Sequence, residues 1–204
     1  MFLPEIYPIT DARISGISHA AQVERLVDGG ATLIQLREKY AAPEDFYEAA
    51  KAVLEIARKR GVKILINDRV DIAFALKADG VHLGQNDLPP EMARKILGEK
   101  AIIGFSTHNL DQALCAVKLP IDYLAFGPVF STTTKENPDA AVGIETLKRV
   151  RESIGDFPLV AIGGITVENF REVRQAGADS TALIGGLISD ADKIAERIRF
   201  LLNL

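Results

Sequence analysis

The sequence predicts an α/β fold: a single (β/α)8 TIM barrel over residues 1–204, with its active site at the C-terminal ends of the strands. Three observations carry that expectation. Short, nearly continuous apolar runs rich in β-branched and aliphatic residues alternate with segments of helical period, as expected when a parallel sheet is buried on both faces. There are eight of each. Strict alternation implies right-handed crossovers, so eight units favour closure into a barrel over the rival open, doubly wound sheet. The length of 204 residues sits at the lower end for such barrels, and no composition shift or Gly/Ser/Pro linker marks a second domain.

The first strand is expected at 5–11 (EIYPITD), followed by a helix at 18–30 (SHAAQVERLVDGG). The second strand, 32–38 (TLIQLRE), leads into the clearest helix, 42–61. Pro43, Glu44 and Asp45 open that helix; Arg58, Lys59, Arg60 and then Gly61 close it; Phe46, Ala50, Val53, Leu54 and Ala57 share one face. Strand three (63–68, KILIND) precedes a helix at 69–77, and strand four (80–84, GVHLG) precedes one at 89–98. Strand five (102–107, IIGFST) precedes a helix at 109–118, on which Cys115, beside Leu114 and Val117, reads as a packing thiol. After strand six (123–128, YLAFGP) comes a long polar stretch, PVFSTTTKENPDAAVG, with two prolines, a Ser-Thr run and one lysine. In a compact barrel such a loop is expected to be a lid or binding loop. A helix at 143–155, strand seven (159–164, LVAIGG), a helix at 166–177, strand eight (180–186, STALIGG) and a helix at 190–204 complete the set. In the last, Asp190 is a candidate N-cap, and Ile194, Ile198, Leu201 and Leu202 share a face. GGATLIQL, KADGVHLG, LPIDYLAFG and AGADSTALIG each run from a helix end through a small or acidic residue into a strand. Their spacing varies, so they are repeated supersecondary structure rather than a solenoid.

Composition narrows the function. A hydrophobic fraction of 48% and a charged fraction of 25% argue against disorder. With 24 basic and 28 acidic side chains the net charge is -4, which argues against a general nucleic-acid binder but leaves room for a small anionic substrate. One cysteine rules out an internal disulfide framework and a cysteine-based zinc site, and points to a reducing cytoplasm. The start, MFLPEIYPITDARIS, lacks the basic and apolar regions of a signal peptide, and no run approaches the ~18 apolar residues of a membrane span.

Catalytic residues of a barrel lie at the C-terminal strand ends and in the loops that follow. That rule selects Gln35, Arg37, Glu38 and Lys39 after strand two, and Asn67, Asp68 and Arg69 after strand three. It adds Gln85, Asn86 and Asp87 after strand four, and Ser106, Thr107 and His108 after strand five. Thr132, Thr133, Thr134 and Lys135 follow strand six, and glycine pairs Gly163-Gly164 and Gly185-Gly186 end strands seven and eight. Glycine lets backbone N–H groups approach an anion, and phosphates often bind after strands seven and eight of a barrel. Asp68 and Asp87, on neighbouring strand ends, can share a magnesium ion completed by waters and phosphate; alternatively they are solvated loop acids, with Asp87 an N-cap. Arg37, Lys39 and Lys135 at one mouth suggest a polyanion, Arg37 as a bidentate donor and the lysines as point charges. A structural Arg37–Glu38 ion pair is the plainer alternative. The hydroxyls of Thr132 and Thr134 suit phosphate oxygens. His82 reads as a hydrogen-bonded barrel residue, and His108 has no partner evident in sequence. No GxSxG elbow or GxxxxGK[ST] loop is present. The residues describe a metal-assisted barrel enzyme with two anion subsites, one for a diphosphate and one for a monophosphate.

The same strand ends resemble the thiamine phosphate synthases. The stretches YPITD, GGATLIQLREK, INDRVDIAFALKADGVHLGQND, IGFSTH, YLAFGPVFSTTTK, AIGGIT and AGADSTALIG carry the resemblance in order over nearly the whole chain. It implies that Gln35, Leu36, Arg37, Glu38, Lys39 and Asn67 line a pyrimidine diphosphate site, that Asp68 and Asp87 hold Mg2+, and that Ser106 and Lys135 contact the same substrate and its leaving diphosphate. Thr132, Thr133, Thr134, Gly164 and the Ile184-Gly185 step would border a thiazole phosphate. Many members carry serine where Gly185 stands, so a hydroxyl contact is lost here and backbone N–H groups are left to serve. The implied partners are small molecules rather than nucleic acid or membrane, with oligomeric state left open.

The implied reaction explains the residue list. Diphosphate leaves the exocyclic methylene of the aminopyrimidine, the ring stabilises the cation, and the thiazole nitrogen attacks with its own lone pair. No general base is needed. Arg37, Lys39, Ser106 and Lys135 then serve as the catalytic set, stabilising charge on the leaving group together with Mg2+. A thiazole tautomerase-like barrel is the nearest rival, but Asn67, Asp68, Asp87, Thr134 and Lys135 are kept and residue 128 is proline, where that group uses a nearby histidine. A sugar-phosphate barrel would not need the QLREK, Asp68 and Asp87 set, and a catalytically silent phosphate-binding barrel would have lost the charged mouth.

Overall fold

Each of the eight apolar runs folds as a strand, and every strand is parallel to its neighbours. The computed structural model describes residues 3–132, 134 and 140–204. Thr133 and Lys135, singled out above, lie outside the described residues. The strands are β1 (Ile6–Thr10), β2 (Leu33–Leu36), β3 (Lys63–Asn67), β4 (Gly80–Leu83), β5 (Ile102–Thr107), β6 (Tyr123–Phe126), β7 (Leu159–Ile162) and β8 (Ser180–Leu183). They close in sequence order, β8 pairing with β1, so the barrel replaces the open-sheet alternative.

The expected helices appear as α2 (His19–Gly29), α3 (Pro43–Arg60), α4 (Val70–Leu76), α5 (Pro90–Leu97), α6 (Leu110–Ala116), α7 (Ile144–Ile154), α8 (Phe170–Gln175) and α10 (Ile194–Leu202). Two short ones are additional: α1 (Ala12–Ser15), which Asp11 caps, and α9 (Gly185–Ile188). The α3 expectation holds at both ends and on its buried face, where Phe46, Ala50, Val53, Leu54 and Ala57 all pack inward. The last segment is less regular. Asp190 caps a 3-10 turn, Ala191–Lys193, before α10 begins; Ile194, Ile198 and Leu201 are buried but Leu202 is exposed. Cys115 is likewise exposed rather than packed, because the short α6 turns Ala113 and Ala116 inward. No helix among the described residues is long and apolar enough to cross a membrane.

Apolar side chains pack on both sides of the sheet. The larger layer lies between strands and helices; a smaller one fills the barrel with Tyr7, Ile9, Leu33, Leu65, Tyr123, Ala125, Val160 and Ala182 among others. At the N-terminal rim the acidic echoes seen in the sequence acquire a physical role. Asp79, Asp122 and Asp179, each just before an even-numbered strand or its turn, accept from the backbone N–H of Ile64, Ile103 and Leu159 at 2.9, 2.8 and 2.8 Å. Each carboxylate bolts one strand to the preceding one. The first echo has no such acid; its Thr32 carbonyl accepts from Lys63 N–H on the following strand at 3.0 Å, as the Asp79 carbonyl does from Ile102 N–H at 2.9 Å.

Candidate active site

The C-terminal ends of the strands surround a cavity of about 860 Å³. Side chains that alternate along each strand reach it from the barrel interior, which is why polar residues at these positions share one mouth. Gln35, Arg37, Lys39, Asn67, Asp68, Asp87, Ser106, Thr132, Thr134, Gly164, Ile184 and Gly185 all line it. Leu36 and Glu38 do not. Leu36 points from the barrel into the helix layer, as its odd-even place in β2 requires.

Arg37 is buried, and its guanidinium pairs with Asp11, not with Glu38. Asp11 divides its two oxygens: one caps α1 through the N–H groups of Arg13 and Ile14 at 3.0 and 3.2 Å, the other holds Arg37. Glu38 is also committed elsewhere. It meets His19 Nε2 at 3.1 Å and accepts from the N–H groups of Tyr40 and Ala41 at 2.8 and 3.2 Å. Burial pushes the Glu38 carboxyl up, but those three partners outweigh it and hold the group below the usual carboxylate range. Glu38 thereby shapes the turn that presents Lys39 to the mouth.

Lys39 Nζ pairs with Asp68. Asp68 sits in the left-handed region at φ 61°, a conformation a short polar side chain tolerates better than most, while its N–H donates to the His82 carbonyl at 2.9 Å. Its carboxyl is pushed up by burial, pulled down by Lys39, and pushed up again by Asp87, which lies within hydrogen-bonding reach; the net direction is upward. Asp87 accepts from the Gly84 N–H at 2.7 Å, and the cap of α5 is Pro89, so an N-cap role for Asp87 is not what the fold uses. Two carboxylates side by side on adjacent strand ends are a hard-oxygen donor set that fits a divalent cation such as Mg2+, which takes few protein ligands and completes its shell with water and phosphate. No cluster of three or more His, Cys, Asp or Glu suited to a metal occurs among the described residues.

Two polar groups on the same wall await a partner or are held by one. The Asn67 side-chain nitrogen is buried without a hydrogen-bond partner among the described residues. Ser106 Oγ lies 2.8 Å from His82 Nε2. His82 also meets the Tyr123 hydroxyl at 2.8 Å, as a hydrogen-bonded barrel histidine should, and His108 Nδ1 finds the Gly127 carbonyl at 2.6 Å.

The opposite wall is built from backbone and hydroxyls. Gly163 and Gly164 have φ of 100° and 63°, and a Cβ would stand 2.3 Å from Pro128 and 2.5 Å from the Ser131 carbonyl respectively. The pair therefore lets the loop after β6 lie against the end of β7, where Val129 and Phe130 N–H groups donate to the Ile162 and Gly163 carbonyls at 2.9 and 3.0 Å. That docking positions Thr132, whose hydroxyl is 3.2 Å from that of Thr134. Gly185, the first residue of α9, is open: a Cβ there would meet only the Thr134 hydroxyl, at 3.8 Å.

Thr10, Asp11, His19, Tyr7 and Tyr123 were missed as contributors. The signal was available in part, since 7, 9 and 11 alternate toward the interior just as 35 and 37 do.

The profile of the thiamine monophosphate synthase family matches residues 6–187. The chain is 42% identical over 202 residues to thiamine-phosphate synthase of Chloroflexus aurantiacus, covering 98% of this chain and 93% of that one. It is 46% identical over 189 residues to the Clostridium novyi enzyme of the same name, covering 92% of each. Its fold superposes on the structure of thiamine phosphate pyrophosphorylase from Pyrococcus furiosus with a TM-score of 0.87 at 37% identity, covering 98% of this chain and 94% of that one. With 182 consecutive positions from 6 to 187 inside the profile, the chain belongs to the thiamine monophosphate synthase family.

Proposed function

We propose that this chain is a cytoplasmic transferase that joins a hydroxymethylpyrimidine diphosphate to a thiazole phosphate, giving thiamine phosphate and free diphosphate. The observation that carries the reading is the division of one mouth into two unlike walls. Asp68, Asp87, Arg37 and Lys39 stand on the β2–β4 side, while Thr132, Thr134, Gly164 and Gly185 stand on the β6–β8 side. A diphosphate suits the first wall and a monophosphate the second.

Arg37, fixed by Asp11, serves as a preset donor to phosphate oxygens, which costs no reorganisation when charge develops there. Lys39 exchanges its Asp68 contact for the diphosphate. Asp68 and Asp87 would hold a magnesium ion, which would supply Lewis-acid stabilisation to the leaving group. Asn67 offers its unpaired N–H, and Gln35 and Ser106 orient the pyrimidine ring. The C–O bond from methylene to diphosphate breaks with its electron pair on the leaving oxygen; the thiazole nitrogen lone pair forms the new C–N bond. Thr133 and Lys135, which follow β6 in the sequence, belong to the same scheme by resemblance. Holding both rings in one cavity supplies the remaining rate enhancement through proximity.

The test is a coupling assay with purified protein, the pyrimidine diphosphate, thiazole phosphate with or without a ring carboxylate, and Mg2+. Thiamine phosphate is expected with Mg2+ and none with EDTA. Folded protein giving no product from either thiazole form overturns the reading.

A further inference from the structure

The barrel interior beneath the mouth holds three polar side chains that the scheme above does not use, Tyr7, Tyr123 and His82, and they connect two that it does, Gln35 and Ser106. Gln35 Nε2 donates to the Tyr7 hydroxyl at 3.1 Å. Tyr7 and Tyr123 hydroxyls lie 2.9 Å apart, the Tyr123 hydroxyl is 2.8 Å from His82 Nδ1, and His82 Nε2 is 2.8 Å from Ser106 Oγ. The series starts at one cavity-lining side chain on β2 and ends at another on β5.

Its members are set firmly. Tyr7 and Tyr123 are 1% and 0% exposed, their rings meet edge to face at 5.8 Å, and His82 stacks on Tyr123 at 5.6 Å. Tyr123 can stand there because residue 104 is glycine: a Cβ would fall 2.0 Å from its ring and 2.2 Å from its hydroxyl. Burial holds both phenols well above their ordinary range, so each remains a neutral hydroxyl with one proton to give.

One proton per hydroxyl makes the series directional. Tyr7 accepts from Gln35, and with Tyr123 its one other hydrogen-bond partner among the described residues, its single proton goes to Tyr123. Tyr123 donates to His82 Nδ1. His82 then carries its proton on Nε2 and donates to Ser106, whose own proton is turned to the cavity. Turning the Gln35 amide over would reverse every donor and acceptor in the line.

The geometry points to Tyr7, Tyr123 and His82 as positioning residues that couple the polarity of Gln35 to that of Ser106, so that the mouth reads the donor–acceptor pattern of a heteroaromatic ring bearing an amino donor beside a ring-nitrogen acceptor. This specificity role rests on the transferase reading above. A pyrimidine whose amino group is replaced by an oxo group presents the opposite pattern, and a coupled site rejects it at both ends at once. The rejection is large because the mismatched polar groups are left unpaired.

The test uses the full chain and both pyrimidine diphosphates, amino and oxo, with the Tyr123→Phe variant. The ratio of kcat/KM values, amino over oxo, is expected to fall by about 10-fold or more in the variant. Equal loss on both substrates, with the ratio unchanged, would mean that Tyr123 only packs, and overturns the inference. Should Tyr123→Phe fail to fold, Tyr7→Phe cuts the line one bond earlier and is judged by the same ratio. An independent readout is the 15N spectrum of the ligand-free protein, which has three histidines. The His82 ring is expected to be protonated at Nε2 and unprotonated at Nδ1, and to lose that bias in the variant; a ring protonated at Nδ1 in the wild type refutes the wire. Wild-type protein that turns over neither pyrimidine sinks the transferase reading alone, and the imidazole spectrum then decides the wire.

Discussion

At Asp68, burial and the adjoining Asp87 push the carboxyl up while Lys39 pulls it down, and the balance lies upward. The sign of its linkage to stability follows. The native state binds this proton more tightly than the unfolded chain, so the contribution is fully present at low pH and is lost as pH rises through the native value. Asp68→Asn removes that loss. The variant is expected to melt at a higher temperature than wild type at neutral pH, with the gap closing as both approach pH ~4. Turnover should fall by about 100-fold or more, since charge stabilisation at the diphosphate is impaired. Melting curves across pH with a parallel rate assay check both; a variant less stable at neutral pH would contradict the sign. Residue positions at the mouth were legible because strand ends in a barrel share one rim. The partners of those residues were not. Asp11 is 26 positions from Arg37, and Tyr123 is 41 from His82. No local period links such pairs, and the nearest charge, Glu38, was the natural but wrong partner for Arg37.

Among the elements, the N-terminal rim separates stability from chemistry. Asp122 accepts from both Arg94 Nη2 and Ile103 N–H at 2.8 Å, far from the cavity lining. Asp122→Ala leaves a strand N–H unpaired and should cost about 1–3 kcal/mol, lowering the melting temperature by roughly 2–4 °C per kcal/mol. The kcat of the coupling reaction is expected to be unchanged; a variant with native melting or with a lowered kcat would contradict this division. In the sequence, the acidic echoes showed that something repeated but not what, because the acceptor's donor lies one strand back. Long elements read more clearly than short ones. The 18 residues of α3 give an unambiguous stripe, whereas the 7 of α6 carry too few turns to tell the inward Ala113 and Ala116 from the outward Cys115. The four-residue α9 was hidden in a glycine pair read as strand end.

The molecule as a whole is acidic, at net charge -4, yet Arg37 and Lys39 face the mouth beside Asp68 and Asp87. Neither a cation nor a polyanion alone meets a complementary field there; together they do. Mg2+ with inorganic diphosphate is therefore expected to stabilise the fold by more than the two added separately. At a hundredfold excess over the dissociation constant the gain is about 2.7 kcal/mol, or roughly 5–10 °C in melting temperature for a chain of this size. Asp87→Asn should reduce the joint shift to the sum of the separate ones, and a wild-type protein with purely additive shifts would count against a shared ion. At this scale the sequence was most informative, because closure needs only the count of eight alternating units and not the identity of any contact. The contact it could least reveal is the one between Gly104 and the Tyr123 ring, which occupy a single volume. That arrangement has an evolutionary consequence. A lineage that gains a side chain at 104 must surrender the ring at 123, while one that loses the ring is free to keep the glycine, so comparison of relatives should find no side chain at 104 wherever a tyrosine stands at 123.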